Sequence, residues 1–445
     1  MKKINYAIPK SDFIDISVIL TISILYRLFY FDFGIHGITY NSDSVSYFAT
    51  VDIFKGIIDL YRTPVYPCII HFFRNLSEGY FLRNLVVFQH TILVLSIIPF
   101  YFVAKHIIQN RIVVIFITIF YGCWNYIIDQ SININPEVLC VVGSILLLAI
   151  YVKYINNPSR HIAILISIFS FILIMLKPTY LIVLGIIIIF FVIRLIYHKE
   201  EKKIILLGLI GWMIAIAGVL GYCELNKKFN GEFVLSKVEL NNSLSNIITS
   251  GAYIFGEDQE LINLIDSTKF KGVYVSVFLI NNECIDNYKR ALKNFPNYLP
   301  PSNDMKLCMA FPDTINFPAK RIRQFVKKSQ FTTQYLKHII KRIVNTFMDY
   351  IGLLIIMIVE LIFIIKDFLK NRRIAWTLLF CIIFVLAQFT VIVLVVGQFS
   401  LNVDAPIERM DRLLVPSYPF LILIIGALTE NLFSLIRKLT KFKAN

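Results

Sequence analysis

Asn41–Pro67 reads NSDSVSYFATVDIFKGIIDLYRTPVYP, a polar stretch set between two long apolar runs. It carries an early acid, Asp43, and ends on the stiff cationic turn Arg62-Thr63-Pro64-Val65-Tyr66-Pro67. Ser42 to Gly56 places Val45, Phe48, Ala49, Ile53 and Phe54 on the apolar side of a short amphipathic helix. Pro64 to Phe73 predicts a second, opened by a proline whose fixed φ suits a first helical turn. Two short helices lying on a membrane face would close over a cavity. The rest of the chain then supplies the walls.

Composition agrees with that setting. At 445 residues, with 57% hydrophobic and 16% charged side chains, the chain has too little charge to solvate a large soluble surface and enough apolar sequence for many membrane spans. The formal net charge of +15 comes from basic residues that punctuate apolar runs, where they set topology and meet anionic lipid, so no nucleic acid partner is expected. Seven cysteines follow no metal-like spacing. Cys68, Cys123, Cys140, Cys223 and Cys381 sit in or beside apolar runs as small hydrophobes, whereas Cys284 and Cys308 share a polar segment and could pair. The basic Met1–Lys10 precedes a run of spanning length without a small-residue cleavage site, which predicts a retained signal anchor.

A helix needs about 20 mainly apolar residues to cross the hydrocarbon, and on that rule the sequence predicts an all-α polytopic membrane protein of about ten spans. They fall at 13–33, 82–104, 112–129, 136–154, 161–177, 178–197, 204–223, 344–366, 374–397 and 413–434. Placing both termini in the cytoplasm puts Lys2, Lys3, Lys10, Lys105, Arg111, Lys153, Arg160, Arg194–Lys203, Lys366–Arg373 and Arg437–Lys443 there, so every short basic loop obeys the positive-inside rule. The expectation is a multi-pass protein of the cytoplasmic (inner or plasma) membrane with an extracytoplasmic active site. Pro318–Arg342 is basic yet falls outside, which a long loop tolerates. Three regions follow: an N-terminal membrane module, 1–223, with the reactive loop 34–81; an extracytoplasmic loop or small mixed domain, 224–343; and C-terminal membrane helices, 344–445. Within the middle region Phe233–Val238 and Gly272–Leu279 look strand-like, and a basic helix leads back to the membrane.

Residues of catalytic type gather on the outer face of this topology. Asp43, just outside a span, fits a general base at a cavity mouth, or a helix N-cap. Tyr47, one turn on, would steer that carboxylate or sit in the interfacial aromatic belt. Arg62 and Tyr66, held by prolines at 64 and 67, suit the grip of a phosphate at low entropic cost; the alternative for Arg62 is a headgroup anchor. Glu137 follows Pro136 in a first helical turn, favoured there by the helix dipole, or faces a water-filled cavity with Asp129 and Asn135 on the same rim. Lys177 is a lone cation before Pro178, suited to an anionic ligand or to snorkelling. Arg409 and Arg412, in Glu408-Arg409-Met410-Asp411-Arg412, share a helical face as a phosphate clamp or pair with their neighbouring acids. Gln89, His90 and Gln388 are polar residues within spans that would line the cavity, although a lone intramembrane histidine such as His90 is more often a packed, hydrogen-bonded residue than a catalyst.

These features together resemble the GT-C membrane glycosyltransferases, especially the protein mannosyltransferase and aminoarabinose transferase branch. The resemblance rests on Asp43–Pro67, with its R-x-P-x-Y-P-like end, the Pro136-Glu137 helix start, the Lys177-Pro178-Thr179 turn, and the E-R-M-x-R segment before Pro416 and Pro419. It covers 1–223 and 344–434 and leaves 224–343 unmatched. It implies transfer of a hexose or pentose from a polyprenyl-phosphate donor to an extracytoplasmic acceptor, a cell-envelope glycan, lipid or protein, with inversion at the anomeric carbon. Asp43 would be the base, with Glu137 the second catalytic candidate, and Lys177, Arg409 or Arg412 would stabilise the departing phosphate. Many relatives carry two adjacent acids in the first loop where this chain has Asp43-Ser44. A single carboxylate is a poor divalent cation site unless Glu137 or the lipid phosphate completes it, and no other cofactor is implied. A lipid-linked saccharide flippase or transporter would instead show inverted repeats or broken mid-membrane helices. A polysaccharide polymerase or ligase would concentrate its reactive residues in a large late loop.

Overall fold

A computed structural model describes residues 9–31, 37–39, 42–50, 62–197, 202–236, 250–268, 319–371, 376–395 and 414–444, with single residues or pairs at 240, 243–244, 247–248, 289 and 317. The described chain is helical, and its sole extended pairing is a bridge between Thr39 and Asn133. The N-terminal helices are α1 (Lys10–Phe31), α2 (Ser42–Thr50), α3 (Val65–Leu76), α4 (Phe81–Leu95), α5 (Ile97–Ile107), α6 (Arg111–Cys123), α7 (Asn125–Asp129), α8 (Glu137–Asn156), α9 (Arg160–Leu176), α10 (Leu181–Tyr197) and α11 (Lys202–Asn230). After these come α12 (Gln259–Thr268), α13 (Ala319–Ser329), α14 (Thr333–Asp349), α15 (Ile351–Asn371), α16 (Trp376–Val395) and α17 (Tyr418–Ala444).

Among the described residues, six helical stretches are long and apolar enough to cross a membrane: Lys10–Tyr30, Phe81–Ile107, Arg111–Asp129, Glu137–Asn156, Lys202–Phe229 and Val415–Arg437. Shorter apolar helices run over Arg160–Leu176, Pro178–Ile193 and Trp376–Phe389. The chain is therefore an all-α membrane protein. Long Ile/Leu/Phe runs adopt this form because a helix satisfies its own backbone groups where lipid offers no partner. Phe29, Ile112 and Phe116 are 81, 78 and 70% exposed, an apolar flank suited to lipid.

Polar residues punctuate the runs. The Asn110 side chain accepts from the Ile112 N–H at 3.0 Å and the Ser159 hydroxyl from the Ile162 N–H at 3.3 Å, capping α6 and α9. The expected span 112–129 is broken at Trp124, whose backbone is extended, whereas 82–104 is only interrupted at Ser96, whose dihedrals stay helical. Ser96 uses its hydroxyl on the Leu93 carbonyl and the Tyr121 hydroxyl, both at 2.6 Å. The expected span starting at 344 also divides: Tyr350 separates α14 from α15.

The bundle is built on α8, which packs against α4, α5, α9 and the turn Val415–Ser417. Gly143 leaves room for Leu173 of α9 against α8, since a β-carbon there would lie 2.4 Å from Leu173 Cδ2. At one end, two buried carboxylates of α1 meet cations from around the α5–α6 turn. Asp12 accepts from Lys105 at 2.6 Å, and Asp15 takes Arg111 through two bonds of 2.7 and 2.8 Å. The Tyr101 hydroxyl donates to Asp15 at 3.0 Å. At the same turn Glu430 of α17 accepts the backbone N–H groups of Gln109 and Asn110.

A second, smaller core joins Leu244, Ile247, Tyr253, Leu261, Ile265, Ile322 and Phe325. Phe233–Ser236, expected as strand, is irregular: α11 runs on to Asn230, and the Val234 carbonyl is taken by the Asn226 side chain at 2.7 Å rather than by a neighbouring strand. Gly272–Leu279, Cys284 and Cys308 lie outside the described residues. Arg321 fixes α13 to the start of α12 through Asp258, at 2.6 and 2.8 Å, and its hydrogen bonds hold the Asp258 carboxyl below its usual range.

The α8–α9 contact supplies a stability test. Gly143→Val forces a branched side chain against buried Leu173 and is expected to destabilise the protein by about 1–3 kcal/mol. A thermal unfolding midpoint equal to wild type in the same detergent would contradict the packing.

Candidate functional site

The first loop forms two short helices, as its pattern predicts. Asp43 lies in the first turn of α2, inside the helix; its side chain is outside the described residues. Tyr47, Phe48 and Ala49 are buried, so the apolar side of α2 turns into the protein and Tyr47 is not part of an exposed aromatic belt. Arg62 reaches back over this helix. Its guanidinium carbon stands 4.6 Å from the Tyr47 ring centroid, and its Nε donates to the Ser46 hydroxyl at 2.7 Å. Arg62 is only half-buried, and these contacts orient it within the protein.

Pro64 opens α3, and Tyr66 in its first turn meets Tyr47 of α2, the two rings edge to face at 5.1 Å. The Tyr66 hydroxyl, fully buried, donates to Gln89 Oε1 at 2.9 Å. Burial pushes the phenol well above its ordinary range, with Tyr47 and Glu137 adding to the shift, so it serves as a neutral donor. Gln89 Nε2 in turn donates to the carbonyls of Ser131 and Asn133, at 2.8 and 3.1 Å. That loop is also held by Thr39, which donates its N–H to the Ile132 carbonyl at 3.0 Å and accepts from Ile134 at 3.2 Å.

The loop leads directly into α8. Asn135 Oδ1 accepts from the Glu137 N–H at 3.4 Å, helping to start the helix after Pro136. Glu137 and Lys177 then pair at 3.3 Å, with side chains only 3 and 12% exposed. Lys177, expected as a lone cation, is therefore held by a carboxylate. The Lys177-Pro178 step ends α9 and starts the short turn Pro178–Tyr180, whose Tyr180 hydroxyl is bound to the Cys140 carbonyl at 2.9 Å. This fixes the cation's backbone against α8.

Tyr47, Arg62, Tyr66, Glu137 and Lys177 thus belong to one connected cluster at the end of the bundle where the 130–136 loop joins α7 to α8. Arg409 and Arg412 lie outside the described residues. The chain resumes at buried Leu414, and Tyr418 stacks on Trp124 at 4.8 Å, which brings the start of α17 to α7. Among the other polar span residues, Gln89 is the hub of the cluster, while His90 and Gln388 are buried. Arg27 is a polar residue the sequence reading passed over. It is wholly buried in α1 and donates to the Gly122 carbonyl at 2.6 Å; a charge inside an apolar run was the available signal. Among the described residues no three His, Cys, Asp or Glu side chains are grouped as a metal site.

Chemically, the cluster offers a guanidinium and an ammonium from distant parts of the chain, one carboxylate, and a protonated phenol. That is a setting for recognising an anion beside a polar, uncharged group. No family model matches the chain, and no curated protein matches it.

The hydrogen-bond hub predicts an order of effects. Tyr66→Phe removes one buried bond and should cost about 1 kcal/mol, whereas Gln89→Leu strands the Tyr66 hydroxyl and the loop carbonyls and should cost about 2–3 kcal/mol. Thermal unfolding of both variants checks this. Equal, negligible losses would remove Gln89 from its role.

Proposed function

We propose that this chain is a GT-C-type membrane glycosyltransferase that moves a hexose or pentose from a polyprenyl-phosphate donor to an acceptor hydroxyl outside the cytoplasm. The observation that carries the reading is the connected network in which Arg62 and Tyr66, from the first loop, are linked through Gln89 and the 130–136 loop to Glu137 and Lys177, from α8 and the end of α9. A lipid-anchored phosphate needs cations at the membrane boundary, and a sugar needs a polar, partly dehydrated space beside them.

In this mechanism Asp43 takes the proton of the attacking hydroxyl. The acceptor oxygen forms a bond to the anomeric carbon as the bond from that carbon to the phosphate oxygen breaks, with inversion, and polyprenyl phosphate leaves with the bonding electrons. Lys177 stabilises the charge on that phosphate, and Arg62, Arg409 and Arg412 complete its binding. Glu137 holds the Lys177 ammonium in place and prevents a buried cation from standing alone. Cytoplasmic termini, an external first loop and about ten membrane crossings complete the proposed arrangement. The acceptor, a cell-envelope glycan, lipid or protein, approaches from the external side. A divalent cation would require Asp43, Glu137 or the donor phosphate as oxygen ligands.

The test is release of polyprenyl phosphate from a panel of polyprenyl-phosphate sugars by the purified protein in nanodiscs with candidate acceptors. One donor should be turned over, and Asp43→Asn should lose about a hundredfold or more of the rate, the scale of a lost general base. Turnover indifferent to Asp43 would overturn its assignment. Transport of a lipid-linked saccharide across the bilayer without release of its phosphate would overturn the transferase reading.

A further inference from the structure

The chain between the satellite core and α15 is unusually basic. Residues 319–348 contain eight Lys and Arg and no Asp or Glu. Three of these cations are engaged on α13: Arg321 with Asp258 and Glu260, Arg323 with Glu232 at 2.8 Å, and Lys328 with Glu257 at 2.8 Å. They lock α13 to the satellite core, on which Ile322, Phe325 and Val326 are buried. Lys337 and Lys341 of α14 are exposed.

α14 has two unlike sides. One faces protein: Tyr335 packs against the satellite core, and Gln334 Nε2 donates to the Ser250 carbonyl at 2.9 Å. On another side Leu336, Ile340 and Val344 recur every four residues and stand 44, 60 and 54% exposed. Helical geometry places Lys337 and Lys341 along the edge of that stripe. Phe331, 78% exposed, adds a further apolar group at the turn that precedes the helix.

We propose that α14 is an interfacial helix that docks on anionic phospholipid headgroups, its apolar stripe set into the headgroup boundary and its lysines on lipid phosphates. Continuity with the membrane identifies the occupant. A single residue, Tyr350, separates α14 from the apolar helix α15, and its ring meets that of Phe389 in the apolar helix α16 at 4.9 Å. Val344 precedes Ile351 by seven positions, so the stripe begins about 10 Å of helix from the start of α15. An apolar stripe edged by lysine at that distance has the composition of a helix that lies in the interface plane, and lysines near an anionic surface add attraction that neutral lipid does not supply. The inference rests on the membrane character of the chain and stands or falls separately from the transferase reading.

Hydrogen–deuterium exchange of the full chain tests it, in nanodiscs of phosphatidylcholine alone, in nanodiscs with added phosphatidylglycerol, and in detergent free of phospholipid. Amides over 336–344 should exchange about tenfold more slowly with phosphatidylglycerol than with phosphatidylcholine alone, while those of α12 serve as an unchanged reference. The double variant Lys337→Glu/Lys341→Glu should lose the slowing, and Lys337→Gln/Lys341→Gln should lose it in the same direction with less disturbance of the fold. Equal exchange in the two lipids would overturn the proposal. So would slowing that survives charge reversal, or protection as strong in lipid-free detergent, which would mean that protein covers the stripe.

Discussion

One side-chain amide joins the two halves of the candidate site. Gln89 sits in an apolar helix, where an unsatisfied amide is costly, and it meets all its needs by binding Tyr66 on one side and the Ser131 and Asn133 carbonyls on the other. The first side belongs to a helix of the first loop; the second belongs to the connection that begins α8. The same connection is pinned by Thr39 and ends at Glu137, so a chain of hydrogen bonds runs from α3 to the helix start that carries the Glu137–Lys177 pair. In the proposed reading, this connection is what would let residues more than a hundred positions apart, such as Arg62 and Lys177, serve one ligand.

Among the described residues, three carboxylates withdrawn from water each have a cation at hand. Asp12 and Asp15 are met by Lys105 and Arg111, and Glu137 is met by Lys177. Arg27 uses a backbone carbonyl, as an isolated cation in an apolar helix must. These pairs do not make the fold stable by themselves, because desolvation offsets much of their attraction, but they fix which helices meet and in what register. The cluster around Glu137 differs from the opposite end in combining its ion pair with two tyrosines, an arginine and a bound loop. That combination suits a site; the pairs on α1 suit a fastening.

Much of the architecture was legible because membrane helices leave a long, one-dimensional signal. The apolar runs, the proline starts at Pro64 and Pro178, and the position of Glu137 in a first turn all translate into local geometry without knowledge of contacts. What the sequence lacked was pairing. Nothing in an apolar run containing Gln89 names Ser131 and Tyr66 as its partners, and Lys177 reads as a lone cation until α8 is laid beside α9. The break at Tyr350 was hidden for another reason: the amphipathic α14 passes into the apolar α15 without a proline, and the nearby Gly352 falls just inside the apolar run rather than at the break. The described part of the expected strand, Phe233–Ser236, misled through its aromatic and branched residues, which favour strands only where a neighbouring strand exists to pair with them. Arg409 and Arg412 remain an expectation of the sequence, beyond the described residues.

The central claim is that Arg62 and Lys177 serve one anion-binding centre. The direct measurement is the affinity of nanodisc-embedded protein for a polyprenyl phosphate, compared among wild type, Arg62→Ala, Lys177→Ala and the double variant. A shared centre predicts that each single change weakens binding, by about tenfold as for a lost charge-assisted contact, and that the double change departs from the sum of the two. Affinity unaltered by either substitution, or two losses that simply add, would contradict a single centre.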